Sequence, residues 1–140
     1  PYPRQTPLAD YKTLNYLYYE QAAGFAKANQ ADEAVIINPD LTVSETNTAN
    51  ILVIKDKIVI VPESDHMLQG VTMKSVLTIL EDRGYDILRK RIFKKEFYLY
   101  PTIILTNALM GAVPVLSIDG KKLDREKGVC SMINKALFSA

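Results

Sequence analysis

An α+β architecture, a mixed and barrel-like β-sheet flanked by helices, is what the sequence predicts, on three observations. Helical periodicity appears early in the chain, once in its middle and again at its end. Between these stretches lie short β-branched apolar runs bounded by turn residues. The two kinds follow one another as helix, several strands, then helix, without the strict alternation of a doubly wound sheet.

Each element can be justified in turn. "PYPRQTP" holds three prolines in seven residues, which makes residues 1–7 an extended connector and leaves 8–140 as one domain. The missing initial methionine suggests that something was removed upstream. Residues 15–29 suit a helix, with Tyr16, Tyr19, Ala23 and Ala26 spaced as a core-facing stripe. "EAVIIN" (33–38) is a short strand ended by Pro39-Asp40. "LTVSE" and "NILVIKDKIVIV" add strands, with Asp56-Lys57 as a hairpin turn. Residues 71–84 form a helix with Val71, Val76, Ile79 and Leu80 on one face and Gly84 as its stop. "YDILRKRI" reads as a strand with one wet face, "PTIILTN" and "AVPVLSI" as two strands broken by "ALMG", and 124–138 as the last helix.

Composition excludes several classes. A net charge of +1 gives no reason to expect nucleic acid or an acidic membrane as partner. No apolar run reaches the length of a membrane span. One cysteine, Cys130, rules out an internal disulfide and suits a reducing, cytoplasmic setting; it reads as a small buried side chain. One histidine, His66, gives a catalytic triad or a metal cluster little to build on, so no metal is expected.

Four stretches can carry chemistry, each with a plainer alternative. Lys12 precedes the first helix and is either a solvated charge or an amine held in place for reaction. Gly70, Val71 and Thr72 open a helix whose unpaired N–H groups can hold a phosphate, or they merely begin that helix. Glu45, followed by "TNTAN", either lines a polar pocket or marks a surface turn. Thr106, Asn107, Ala108 and Gly111 are small residues between apolar strands, where backbone can approach a ligand or simply turn tightly.

Taken in order, "KTLNYL", "ADEAVIIN", "VSETNTANILVI", "MLQGVTMKSVL" and "LTNALMGAVPV" resemble the class IV aminotransferase family over nearly the whole chain, from about residue 8 to Gly120. Within it, "KTLN", "ADEA" and "NALM…PV" are most similar to the aminodeoxychorismate lyase type. The resemblance implies the larger, C-terminal domain of a fold-type IV enzyme that uses pyridoxal 5′-phosphate (PLP). It makes Lys12 the lysine bound covalently to PLP and Glu45 the partner of the pyridine nitrogen. Gly70, Val71 and Thr72 become the phosphate cradle, and Tyr16 a neighbour of the cofactor hydroxyl in some members. At Ala108 the transaminases offer a threonine hydroxyl to the phosphate, so Asn107 and backbone groups would have to serve here. The resemblance further implies a small amino substrate, a smaller N-terminal domain absent from this chain, and a homodimer. The lyase reading, release of pyruvate and 4-aminobenzoate from aminodeoxychorismate, stands ahead of a branched-chain or D-amino acid transaminase and of a non-catalytic isolated domain.

Overall fold

The computed structural model describes residues 16–65, 67–124 and 128–139. Lys12, the connector, His66 and residues 125–127 lie outside them. The described elements are α1 (Leu17–Ala28), β1 (Val35–Ile37), β2 (Val43–Thr46), β3 (Asn50–Lys55), β4 (Ile58–Pro62), α2 (Val71–Asp82), β5 (Asp86–Lys90), α3 (Lys94–Phe97), β6 (Thr102–Asn107), β7 (Gly111–Pro114), β8 (Ser117–Ile118), β9 (Lys121–Lys122) and α4 (Val129–Phe138).

A five-stranded sheet in the order β5-β4-β3-β6-β7 is the frame, and two-stranded pairings join β1 to β2 and β8 to β9. The sheet is mixed because β4 and β5 run parallel while its other neighbours are antiparallel. Parallel neighbours need a crossover, and α2 supplies it. The mixed sheet with flanking helices agrees with the sequence reading.

Alternation along the strands sorts side chains to two cores. Leu52, Ile54, Val59, Val61 and Ile104 face α2 and α4. Ile51, Val53, Ile60, Ile103 and Leu105 face the opposite way, towards Val43 on β2 and Phe97 on α3. Both faces of the central strands are therefore covered, which explains why "NILVI" and "TIIL" read as unbroken apolar runs.

Several boundaries differ from the sequence reading. The strand expected through Ile92 stops at Lys90, because Ile92 turns fully inside and its carbonyl accepts Val43 N–H at 2.8 Å. The four-residue α3 follows, built from "KKEF", which the pattern alone does not separate from the strand before it. "AVPVLSI" splits into β7 and β8, since Pro114 ends the ladder on an edge strand and Leu116 points to solvent. The last helix begins at Val129, and Gly128 before it has a φ of 83°, outside the helical range; residues 125–127 of the expected span lie outside the described residues. On α1 the buried residues are Ala22 and Ala26, packed with Ala34, while Tyr16 is 43% exposed. The buried stripe thus lies beside the one predicted and shares only Ala26 with it.

Candidate functional site

One end of the central sheet gathers most of the predicted site residues, and the strand register explains why. β3 begins there at Asn50 and β6 ends there, with Asn50 opposite Thr106. β2 brings Glu45, next to its last residue, to the same end, and β6 ends there at Asn107 with Ala108 in the turn that follows. Asn107 Nδ2 donates to the Thr48 carbonyl at 3.3 Å, tying the two turns together.

Glu45 is buried, 4% exposed, and its Oε1 accepts the Tyr19 hydroxyl at 2.9 Å. A buried carboxylate is stable only where it is hydrogen-bonded, so its neighbours must hold it in one orientation. The turn after it is over-determined. Thr46 N–H donates to the Ala49 carbonyl at 2.8 Å, and Ala49 N–H returns a bond to Thr46 Oγ1 at 2.9 Å. Asn47 Oδ1 accepts Ala34 N–H at 2.7 Å. The serine, threonine and asparagine cluster is a turn, as its composition suggests, but one that fixes a buried acid.

The start of α2 is the second component. Gly70 is its N-cap in extended conformation, and no side chain caps the helix. The first helical bond runs from Lys74 N–H to the Gly70 carbonyl at 3.2 Å, so the Val71, Thr72 and Met73 N–H groups precede the ladder. The Gly70 N–H donates to Asn50 Oδ1 at 3.0 Å, which ties the entry of α2 to the start of β3. A Cβ at Gly70 would lie 2.5 Å from that oxygen, which is why glycine stands there.

At the β6–β7 turn, Asn107 Oδ1 accepts Leu109 N–H at 3.0 Å and Met110 N–H at 2.8 Å. Its amide is thus spent on shaping the turn. Thr106, 1% exposed, has a hydroxyl with no hydrogen-bond partner among the described residues. Such an orphan is costly in a finished core. An uncapped helix start, a buried carboxylate and an orphaned hydroxyl at one end of a sheet fit a phosphorylated, nitrogen-containing group such as PLP. Val71, 80% exposed, and Leu109, 93% exposed, leave apolar surface on the same two segments.

Three residues here receive no individual role in the sequence reading: Tyr19, placed only in the helix stripe, Asn50, named only within "TNTAN", and Thr106, named only among the small residues of its loop. Tyr19 carries a signal, since it stands three residues after Tyr16 and their rings lie 6.4 Å apart. Asn50 and Thr106 carry none, because only strand register brings them together. Two concavities of the described surface, of about 320 and 170 Å³, lie elsewhere, lined by Lys55, Lys90 and Tyr100 in one and Asn38, Asp40 and Arg91 in the other. Among the described residues no group of histidine, cysteine or carboxylate side chains is placed to hold a metal, and no helix is long and apolar enough to cross a membrane.

Comparison with known proteins adds four findings. The family described as amino-transferase class IV matches residues 1–118. A branched-chain-amino-acid aminotransferase of Pseudomonas aeruginosa is 32% identical over 110 residues, 77% of this chain and 36% of that protein. D-alanine aminotransferase of Bacillus licheniformis is 30% identical, covering 81% of this chain and 40% of that one. Among solved structures, a Legionella pneumophila protein assigned provisionally as a 4-amino-4-deoxychorismate lyase superposes with a TM-score of 0.91 at 26% identity, over 99% of this chain and 53% of that chain. The chain spans less than half the length of these two curated relatives.

Proposed function

Because the chain belongs to the class IV amino-transferase family, we propose that it is the cofactor-bearing part of a PLP enzyme that transfers the amino group of a branched-chain or D-amino acid. The observation that carries this reading is the placement of buried Glu45 at the same end of the sheet as the uncapped start of α2. The two are linked through the Thr46–Ala49 turn and the Asn50–Gly70 bond.

When bound, PLP supplies a ring that accepts electrons from the substrate carbon, provided that its nitrogen keeps a proton. In this reading Glu45 holds that proton, its anionic form stabilising the positive charge beside it. The Tyr19 hydroxyl fixes the rotation of the carboxylate. The Val71 and Thr72 N–H groups bind the phosphate, aided by the helix dipole. Asn107 shapes the turn, so at position 108 the phosphate meets backbone, alanine having no hydroxyl to offer. Lys12 provides the amine that links the cofactor and carries a proton to and from the substrate. A smaller preceding domain and a second subunit cover the apolar rim at Val71 and Leu109, and the whole enzyme works in the cytoplasm.

The curated relatives move the balance from the lyase to the aminotransferase. The lyase remains the second reading, favoured by alanine at 108 and by the extent of the Legionella superposition. Reduction of the complete protein with borohydride in the presence of PLP, followed by peptide mapping, should leave the label on Lys12. A label on Lys27 or Lys74 would overturn the assignment. Glutamate formed from 2-oxoglutarate and isoleucine or D-alanine supports the transaminase, whereas 4-aminobenzoate formed from aminodeoxychorismate supports the lyase. A complete protein that binds no PLP would mean a non-catalytic domain.

A further inference from the structure

We infer that Asn50 is a positioning residue for the phosphate cradle, acting through Gly70 and Leu68 without touching the ligand. The inference rests on the reading that the start of α2 holds the cofactor phosphate. Asn50 stands at the first position of β3, 5% exposed, and its side-chain amide makes two opposed bonds to the segment that enters α2. Its Nδ2 donates to the Leu68 carbonyl at 2.6 Å, and its Oδ1 accepts Gly70 N–H at 3.0 Å. Two peptide groups on either side of Gln69 are thereby held by one rigid planar group. Because no side chain caps α2, that grip is the described side-chain restraint on the direction in which the Val71 and Thr72 N–H groups point.

Two further observations support a ligand role over simple packing. Gly70 has φ −62°, a value open to any residue, yet its Cβ position is filled by Asn50 Oδ1. The glycine therefore serves the asparagine, not a turn. Across the ladder, Thr106 presents a buried hydroxyl beside Asn50 on the sheet face that carries α2, and it has no partner among the described residues, so this corner holds more polar capacity than those residues consume. The chemistry recognised is a phosphate group. Asn50 makes its site by fixing donors in advance, so that binding need not order them.

The test uses the complete protein, freed of cofactor and labelled with ¹⁵N, with inorganic phosphate as probe. In the wild type the Val71 and Thr72 amide signals should move and saturate. In Asn50→Ala, and in the milder Asn50→Ser should the alanine variant fail to fold, the apparent dissociation constant should rise about tenfold, as expected when fixed charge-assisted donors become mobile. The Ile104 amide, in the core, reports that the fold persists. Urea midpoints without phosphate separate the roles, since a merely structural asparagine would shift the midpoint and leave the affinity unchanged. Saturable shifts in the wild type with equal affinity in the variants would overturn the positioning role alone. No shift in the wild type would overturn the phosphate reading and this inference with it.

Discussion

Tyr19 donates its hydroxyl to Glu45 across 26 residues of chain, joining α1 to β2 at the point where the acid is buried. The buried side chains of α1 are the small Ala22 and Ala26. The Tyr19–Glu45 bond ties this helix to the candidate site. Tyr19→Phe keeps the ring and removes only the donor. It should destabilise the protein by about 1.5 kcal/mol, the low end for a bond to a charged group because the pair is only part-buried. Urea denaturation of the two proteins measures it, and amide exchange in α1 should rise more than exchange in β3.

Glu45→Gln should retain the fold, because an amide oxygen can still accept from Tyr19. In the complete enzyme, turnover should fall at least about tenfold, since a neutral amide cannot hold the cofactor nitrogen protonated. Unchanged turnover would leave Glu45 as a structural acid on β2.

How much of this was legible beforehand depends on whether the signal is local. Helix α2 and the β3–β4 hairpin announce themselves, because their periodicities and turn residues occupy consecutive positions. Glu45 and the Val71–Thr72 start are visible as residue types, and the order of motifs gives them roles. Asn50 and Thr106 are different. Each is an ordinary polar residue at a strand end, and their meaning arises when β3 pairs with β6 and places Asn50 against Gly70. Register is a tertiary property, so no window of sequence contains it.

The ion cluster at Lys90, Glu96 and Tyr100 gives a pH prediction. Hydrogen bonds from Lys90 and then from Tyr100 hold the Glu96 carboxyl below the usual 4.5. A lowered folded pKa means that the contribution is present above the unfolded value and lost as pH falls through the folded one. Stability should therefore drop as pH falls below about 4.5, and Glu96→Gln should flatten that limb of the curve. The Lys90 and Glu96 side chains are more than a third exposed, so the effect is small and should shrink further in high salt. Thermal melts at pH 3 to 6, with and without salt, give the comparison.

The exposed edge of the sheet supplies the last prediction. β7 is an edge strand, and its outward backbone groups would offer a template to another chain. Asn134 on α4 occupies that edge. Its Nδ2 donates to the Ala112 carbonyl at 2.8 Å, and its Oδ1 accepts Ala112 N–H at 2.7 Å, the two bonds that a neighbouring strand would make. Gly111 makes room for it, because a Cβ there would lie 2.3 Å from Asn134 Oδ1, and its φ of 68° already favours glycine. Asn134→Ala leaves both Ala112 groups unpaired and should cost about 1–3 kcal/mol. Gly111→Ala should cost about 1–2 kcal/mol for its backbone alone, and more for the displaced asparagine. The two substitutions should be less than additive when combined, because each removes the same contact. The double variant should also self-associate through the uncovered strand, which light scattering at rising concentration would detect. Fully additive losses and a monodisperse double variant would show that Asn134 packs against β7 without guarding it.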